Sequence, residues 1–332
     1  MKSSKLITFL WLLVPVFGIG IFVGFVIEKN ITSKSFANLS SDSIRADAGG
    51  YRFISPLLAC ANNDLGNLLN GDAQNLKSSL QTLINQRIKQ NKTSEVAVYF
   101  RQMNDGSRID INGSTSFTPG SLLKVPVVMS VLHYSEEHPK FIDKMITFDT
   151  ASLDNEQYYP PAQSIEKGKK YSIPDLIAAT LKYSDNNAAY LLSNSVNWSD
   201  LMDSFSDLGI QNPTASSDTT ISVDTYASFF RILYNATYLN RNDSESVLNT
   251  MSQSTFSRGL VAGVPQGTAV SHKFGEREVG ALDQLHDCGI VYYPGSPYLL
   301  CVMTRGDNYD DLASVIADIS RTVYNSIDSN KQ

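Results

Sequence analysis

The chain has 332 residues, 42% of them apolar and 18% charged, which is enough for one large domain with a sizeable core and excludes a disordered or fibrous polymer. Its net charge is −6, and Lys and Arg are scattered without a long basic stripe, so nucleic acid is excluded as an expected partner. The four histidines lack ligand spacing and no Cys/His cluster occurs, so no metal and no other cofactor is expected.

In chain order, Lys2 and Lys5 precede an uncharged run over residues 6–27. Roughly 22 residues at about 1.5 Å each reach about 33 Å, enough to cross a bilayer. The run is long for a signal-peptide core. The first small-x-small site, Ala46-Asp47-Ala48, lies far downstream. Residues 1–29 are therefore expected to be an uncleaved membrane anchor. Its lysines hold the N-terminal side in the cytoplasm, so the body is exported. Residues 30–55 are rich in Ser, Asn and Asp and are expected to be a linker, with one folded domain over 56–332.

Leu76, Leu80, Leu83, Ile84 and Ile88 recur at helical spacing. Val96, Val98 and Phe100 alternate as in a strand, Asn104-Asp105-Gly106 supplies a turn, and residues 108–111 return. Thr118-Pro119-Gly120 breaks the strand pattern, and an apolar helix follows from about Ser121. Ser172-Ile173-Pro174 looks like a helix start, with further helices near 198–208, 223–239 and 244–252. The end returns to strands, at 269–274, 288–293 and 298–304. Leu312, Val315, Ile316, Ile319 and Val323 then mark a last helix. Strands at both ends and helices between them predict an α+β fold. Its antiparallel sheet carries the terminal helices on one face and an all-helical subdomain on the other. Of the cysteines Cys60, Cys288 and Cys301, the last two flank the turn Pro294-Gly295-Ser296-Pro297. A diagonal placement there suits buried free thiols better than a bridge.

Three motifs occur in order: Ser121-Leu-Leu-Lys124, Ser184-Asp185-Asn186 and Lys273-Phe274-Gly275. Three residues apart at a helix start, Ser121 and Lys124 share a face. A serine hydroxyl becomes a nucleophile when a neighbour takes its proton, and a neutral lysine amine can do that. Burial, or a second cation such as Lys273, would lower the Lys124 pKa as this requires. In the second motif Ser184 is expected to relay a proton to the leaving group, Asn186 to hydrogen-bond the substrate amide, and Asp185 to point inward and hold the turn. Lys273 supplies positive charge, and Gly275 lets substrate lie against the strand. The backbone N–H of Glu276 joins that of Ser121 as an oxyanion hole. A second Ser-x-x-Lys, Ser164-Ile-Glu-Lys167, sits in a polar stretch before Gly168 and reads as a solvated loop.

This motif set resembles that of class A β-lactamases and penicillin-binding proteins. The resemblance extends to Tyr158-Tyr-Pro-Pro161, residues 176–192, Asn235-Ala-Thr-Tyr-Leu239, Val264-Pro265 and His286-Asp-Cys-Gly-Ile-Val-Tyr292, about residues 56–327 in all. It implies an acyl-enzyme at Ser121 and a cell-wall peptide or β-lactam as substrate. Two departures stand out. Phe274 occupies the place of a Thr or Ser that helps hold the substrate carboxylate. The Glu-x-x-Leu-Asn pattern that supplies a deacylating base in class A enzymes is missing between Asn186 and Val223. Asp218 or Asp224 could substitute, but both suit helix capping better. The pattern therefore favours a penicillin-binding peptidase, ahead of a β-lactamase or a catalytically silent binding module.

Overall fold

The protein is described from a computed structural model that covers residues 50–55, 71–150, 157–210 and 219–329. The expected anchor, most of the linker, Cys60 and Asp218 lie outside the described residues. Among the described residues no helix is long and apolar enough to cross a membrane.

Alternating side chains build the central sheet. In β1 (Glu95–Gln102) Val96, Val98 and Phe100 point to one face while Ala97 and Tyr99 point to the other. In β9 (Tyr298–Gly306) Leu300 and Val302 oppose Leu299, Cys301 and Met303. Both faces are buried, so these strands are nearly continuously apolar. With β2 (Arg108–Ile111), β7 (Val270–Val279) and β8 (Leu282–Val291) they form an antiparallel sheet of order β2-β1-β9-β8-β7. Strand β7 is an edge.

One face is covered by α1 (Gly71–Lys89), through Leu76, Leu80 and Ile84, and by α8 (Tyr309–Ser329), through Leu312, Val315, Ile316, Ile319 and Val323. The other packs on a helical layer: α2 (Lys124–Glu137), α3 (Ile173–Lys182), α4 (Asn186–Ser193), α5 (Trp198–Asp207), α6 (Val223–Asn235) and α7 (Arg241–Met251). Two short pairs tie the layers' loops: β3 (Ser116–Phe117) with β6 (Ile221–Ser222), and β4 (Met145–Thr147) with β5 (Lys170–Ser172). Local signals behave as expected. Ser172 caps α3 in a capping box with Asp175.

The structure changes three expectations. Strand β7 runs on through Glu276-Arg277-Glu278 to Val279 and returns through β8. Charged residues suit an exposed edge strand, so the polar run hid it. Cys288 and Cys301 stand directly opposite in the β8–β9 register, not diagonally, and are disulfide-bonded. The last residues assigned to the linker belong to the domain: Phe53 and Ile54 are buried in the helical layer's core, and the N–H groups of Arg52, Phe53 and Ile54 all donate to the Glu245 carboxylate.

Candidate active site

Ser121 lies in a 3₁₀ turn, Gly120–Leu123, that runs straight into α2 at Lys124. In such a turn residues three apart nearly eclipse, which sets the Lys124 side chain over Ser121. The turn is pinned from both layers. Tyr226 of α6 donates its hydroxyl to Leu122 O at 3.0 Å. From the sheet, Gln284 Oε1 accepts from Thr118 N at 3.0 Å, and His286 Nε2 meets Thr118 O at 3.1 Å. A carbonyl only accepts, so Nε2 carries the proton. Nδ1 is left to accept from Thr304 N at 3.3 Å. Burial pulls His286 down to about 4, and it is a neutral imidazole.

Glycines let the turn and the edge strand touch. A Cβ on Gly275 would sit 2.5 Å from Pro119 O and 2.8 Å from Leu122 N. Gly120 has φ +54°, and a Cβ there would overlap the Glu276 carbonyl. Gly275 therefore serves contact between strand and turn. The same contact brings the backbones of Ser121 and Glu276 into one cleft, which both residues line.

The second motif enters at the end of α3. Ser184 holds φ +61°, a left-handed conformation that costs a non-glycine residue roughly 1–2 kcal/mol. In return its carbonyl and its hydroxyl both face Lys124. Asp185 follows as the cap of α4. Its carboxylate accepts from Asn187 N, Ala188 N and, across the loop, Ile165 N at 2.7 Å, so it points inward and is fully buried.

The polar groups then converge. Lys124 Nζ is 3.0 Å from Ser121 Oγ, 3.1 Å from Ser184 Oγ and 2.7 Å from Asn186 Oδ1, and it also donates to Ser184 O. Lys273 Nζ donates to Ser184 Oγ at 2.9 Å and to Phe274 O at 2.7 Å. Burial, reinforced by the Lys273 charge, holds the Lys124 amine well below the ordinary lysine range. Burial pulls Lys273 down to about 7, against the opposing pull of Asp287 and Glu276. A neutral amine has two N–H groups and one lone pair. Ser184 O and Asn186 Oδ1 can only accept, so they take the two N–H groups. The lone pair then faces the serine hydroxyls, which is the geometry of a base.

Phe274 is corrected as a substrate contact. It is 6% exposed, stacks on Phe256 with centroids 4.1 Å apart, and does not line the cleft. Its ring instead lies 4.3 Å from Lys273 Nζ. Glu276 does line the cleft. Its two carboxylate oxygens lie 3.2 and 3.3 Å from Tyr159 N, and burial raises its pKa. The cleft has a volume of about 1070 Å³ and continues along the helical layer past Tyr190 and Trp198. Sequence reasoning missed this aromatic wall, because it does not follow from motif spacing. Tyr158, Tyr190 and Trp198 are large rings left 50%, 41% and 64% exposed, a signal that only a surface reveals.

The sequence model of the beta-lactamase enzyme family, Beta-lactamase2, matches residues 75–327. The chain belongs to this β-lactamase family. Among solved structures it is similar to a mutant of PBP-A captured as its acyl-enzyme complex with penicillin G, at 20% identity over 77% of this chain and 97% of that one, TM-score 0.64. It is similar also to the TLA-1 extended-spectrum β-lactamase, at 22% identity over 76% and 98%, TM-score 0.64. A β-lactamase from Chitinophaga pinensis DSM 2588 matches at 21% identity over 75% and 99%, TM-score 0.64. These likenesses show the fold, that of a β-lactamase-type serine hydrolase. Within that family, this chain's cleft has carboxylates among its described lining residues only at Glu276 and Glu278, both on β7. Asp224 lies in the first turn of α6, and the described helical wall brings no carboxylate to the cleft.

Proposed function

We propose that this protein is a membrane-anchored, exported serine hydrolase of the penicillin-binding peptidase kind, forming an acyl-enzyme at Ser121 on a cell-wall peptide or a related amide or ester. The observation that carries this reading is the buried Lys124 amine 3.0 Å from Ser121 Oγ, with its other polar neighbours already satisfied. Lys124 takes the Ser121 proton as Oγ bonds to the substrate carbonyl carbon. The negative oxygen so formed meets the N–H groups of Ser121 and Glu276 at the start of α2. The proton then passes from Lys124 through the Ser184 hydroxyl to the leaving nitrogen as the C–N bond breaks. Lys273, bonded to Ser184, keeps positive charge beside the relay. Asn186 spends its oxygen on Lys124 and offers substrate its amide N–H groups. The anchor is supported by the uncharged run over residues 6–27 behind Lys2 and Lys5, and it suits an envelope substrate.

Acylation needs no further group, whereas rapid release of a β-lactam adduct needs a base for water. The described helical wall offers none. Intact-protein mass spectrometry after treatment with benzylpenicillin or its methyl ester, followed over hours, should show one long-lived adduct in wild type and none in Ser121→Ala. Many turnovers of a chromogenic cephalosporin would make the protein a β-lactamase instead. No adduct from either compound, on a folded protein, would reduce it to a silent binding module.

A further inference from the structure

Strand β7 gives the cleft a direction. Residues directly opposite in an antiparallel register share a face, so Lys273, Gly275 and Arg277 stand with Cys288, His286 and Gln284 on the face that packs on the helical layer. Lys273 Nζ is bonded to Ser184 Oγ. Gly275 lies against Pro119 and Leu122, in the turn that holds Ser121. Arg277 comes two residues later, about 6–7 Å further along the strand. Its register partner Gln284 takes Thr118 N, so this end of the strand flanks the entry to the serine's turn. The leaving nitrogen receives its proton from Ser184, so the leaving group lies toward Lys273. The acyl part of the substrate then lies at the other end, toward Arg277.

Arg277 is the positive charge available at that end. It is exposed and lines the cleft, and among the described residues no carboxylate pairs with it. The other described basic residue that lines the cleft is Lys124, which serves as the base. Lys273 is fully buried and is not among the lining residues. Glu276 and Glu278 line the cleft too, but they alternate to the opposite face of β7, that of Phe274 and Leu285, where the Glu276 carboxylate meets Tyr159 N. Across the cleft, α4 and α5 present Asn186, Ala189, Tyr190 and Trp198, an uncharged wall among the described residues. An anionic group on the acyl part of the substrate therefore has one counter-charge to meet, and that charge is not already spent on the protein.

Resting on the acyl-enzyme function proposed above, we infer that Arg277 is a specificity determinant that selects substrates carrying a carboxylate on the acyl side of the bond that is cleaved. The favoured substrate is then a peptide or related amide whose acyl-side residue bears a free acid, and an uncharged acyl group is the poorer one. The planar guanidinium can take both oxygens of such a carboxylate, which gives direction as well as charge. The attraction acts in a cleft partly shielded from water, where it discriminates more than on an open surface.

The test compares second-order acylation rates for benzylpenicillin and carbenicillin, read as adduct on the intact protein. The two differ by one carboxylate on the acyl side chain and share the carboxylate on the leaving side. Arg277→Gln should lower the carbenicillin-to-benzylpenicillin rate ratio at least fivefold, and Arg277→Lys, which keeps the charge, should hold it within about threefold of wild type. A ratio that Arg277→Gln leaves unmoved, including an equal loss with both compounds, overturns the inference while leaving the acyl-enzyme intact. Benzylpenicillin methyl ester provides the control for the other end of the substrate. If Arg277→Gln instead lowers the rate ratio of benzylpenicillin to its methyl ester, the cation serves the leaving side and the inference fails. No adduct from any of the three compounds overturns both the inference and the function on which it rests.

Discussion

Two stretches of this chain read Ser-x-x-Lys, and they come to opposite ends. Ser164 and Lys167 are exposed in a loop on either side of a buried Ile165, just before Gly168. Ser121 and Lys124 occupy a turn wedged between two layers. There the lysine is 6% exposed and every polar neighbour within reach is a motif residue. The spacing is the same. What differs is the removal of water and the arrival of a second lysine, and these are what turn an amine into a base. The two sites even share a support: Asp185, which shapes the second motif, also holds the exposed loop through Ile165 N.

The sharpest way to break the comparison is to remove each lysine in turn. Lys124→Ala should lower the acylation rate by on the order of a hundredfold or more, since it deletes the general base. Lys167→Ala should leave it within about twofold. Stopped adduct formation with a β-lactam ester reads both. Equal effects would mean that the buried geometry confers nothing.

A smaller effect sharpens the electrostatic half of the contrast. In Lys124, burial does most of the lowering, and the Lys273 charge adds to it. Acylation should rise with pH as Lys124 loses its proton. Lys273→Ala removes one of the two forces that favour the neutral amine, so the rising limb should move to higher pH, with a loss of at least tenfold at neutral pH. A lower rate with an unmoved limb would restrict Lys273 to holding Ser184.

How much of this was visible in the linear chain follows from which forces are local. Capping at Ser172, the turn at Asn104-Asp105-Gly106 and the apolar stripe of α8 are set by neighbours in sequence, and they were legible. So were the three motifs, because their residue types are unusual in that order. The end of β7 was not, because Glu276-Arg277-Glu278 is polar for reasons of the sheet edge and the cleft. Nor was the Cys288–Cys301 bridge, which depends on a register that sets the two cysteines directly opposite and not diagonally. Phe274 looked like a change in the pocket. Its partner in the stack, Phe256, lies on another segment and has no signature of its own. The fit of Gly120 against Glu276 and of Gly275 against Pro119 is likewise a matter of two distant backbones.

The turn at Ser121 depends on a neutral His286, and acid should expose this. The imidazole gives its one proton to Thr118 O and its lone pair to Thr304 N, so protonation would set an N–H against an N–H inside the core. Its pKa is held near about 4 against an ordinary 6.5, so the unfolded chain binds the extra proton first as pH falls. The contribution is therefore complete above pH 6.5 and is lost progressively down to pH 4. Between pH 7 and pH 5 it should cost about 2 kcal/mol of unfolding free energy. In NMR spectra, one of the four histidine ring signals, assigned by its absence in His286→Gln, should stay at its neutral position down to pH 5. If that signal titrates with a midpoint near 6.5, the ring is not locked to Thr118, and the sheet is not what holds the serine's turn in place.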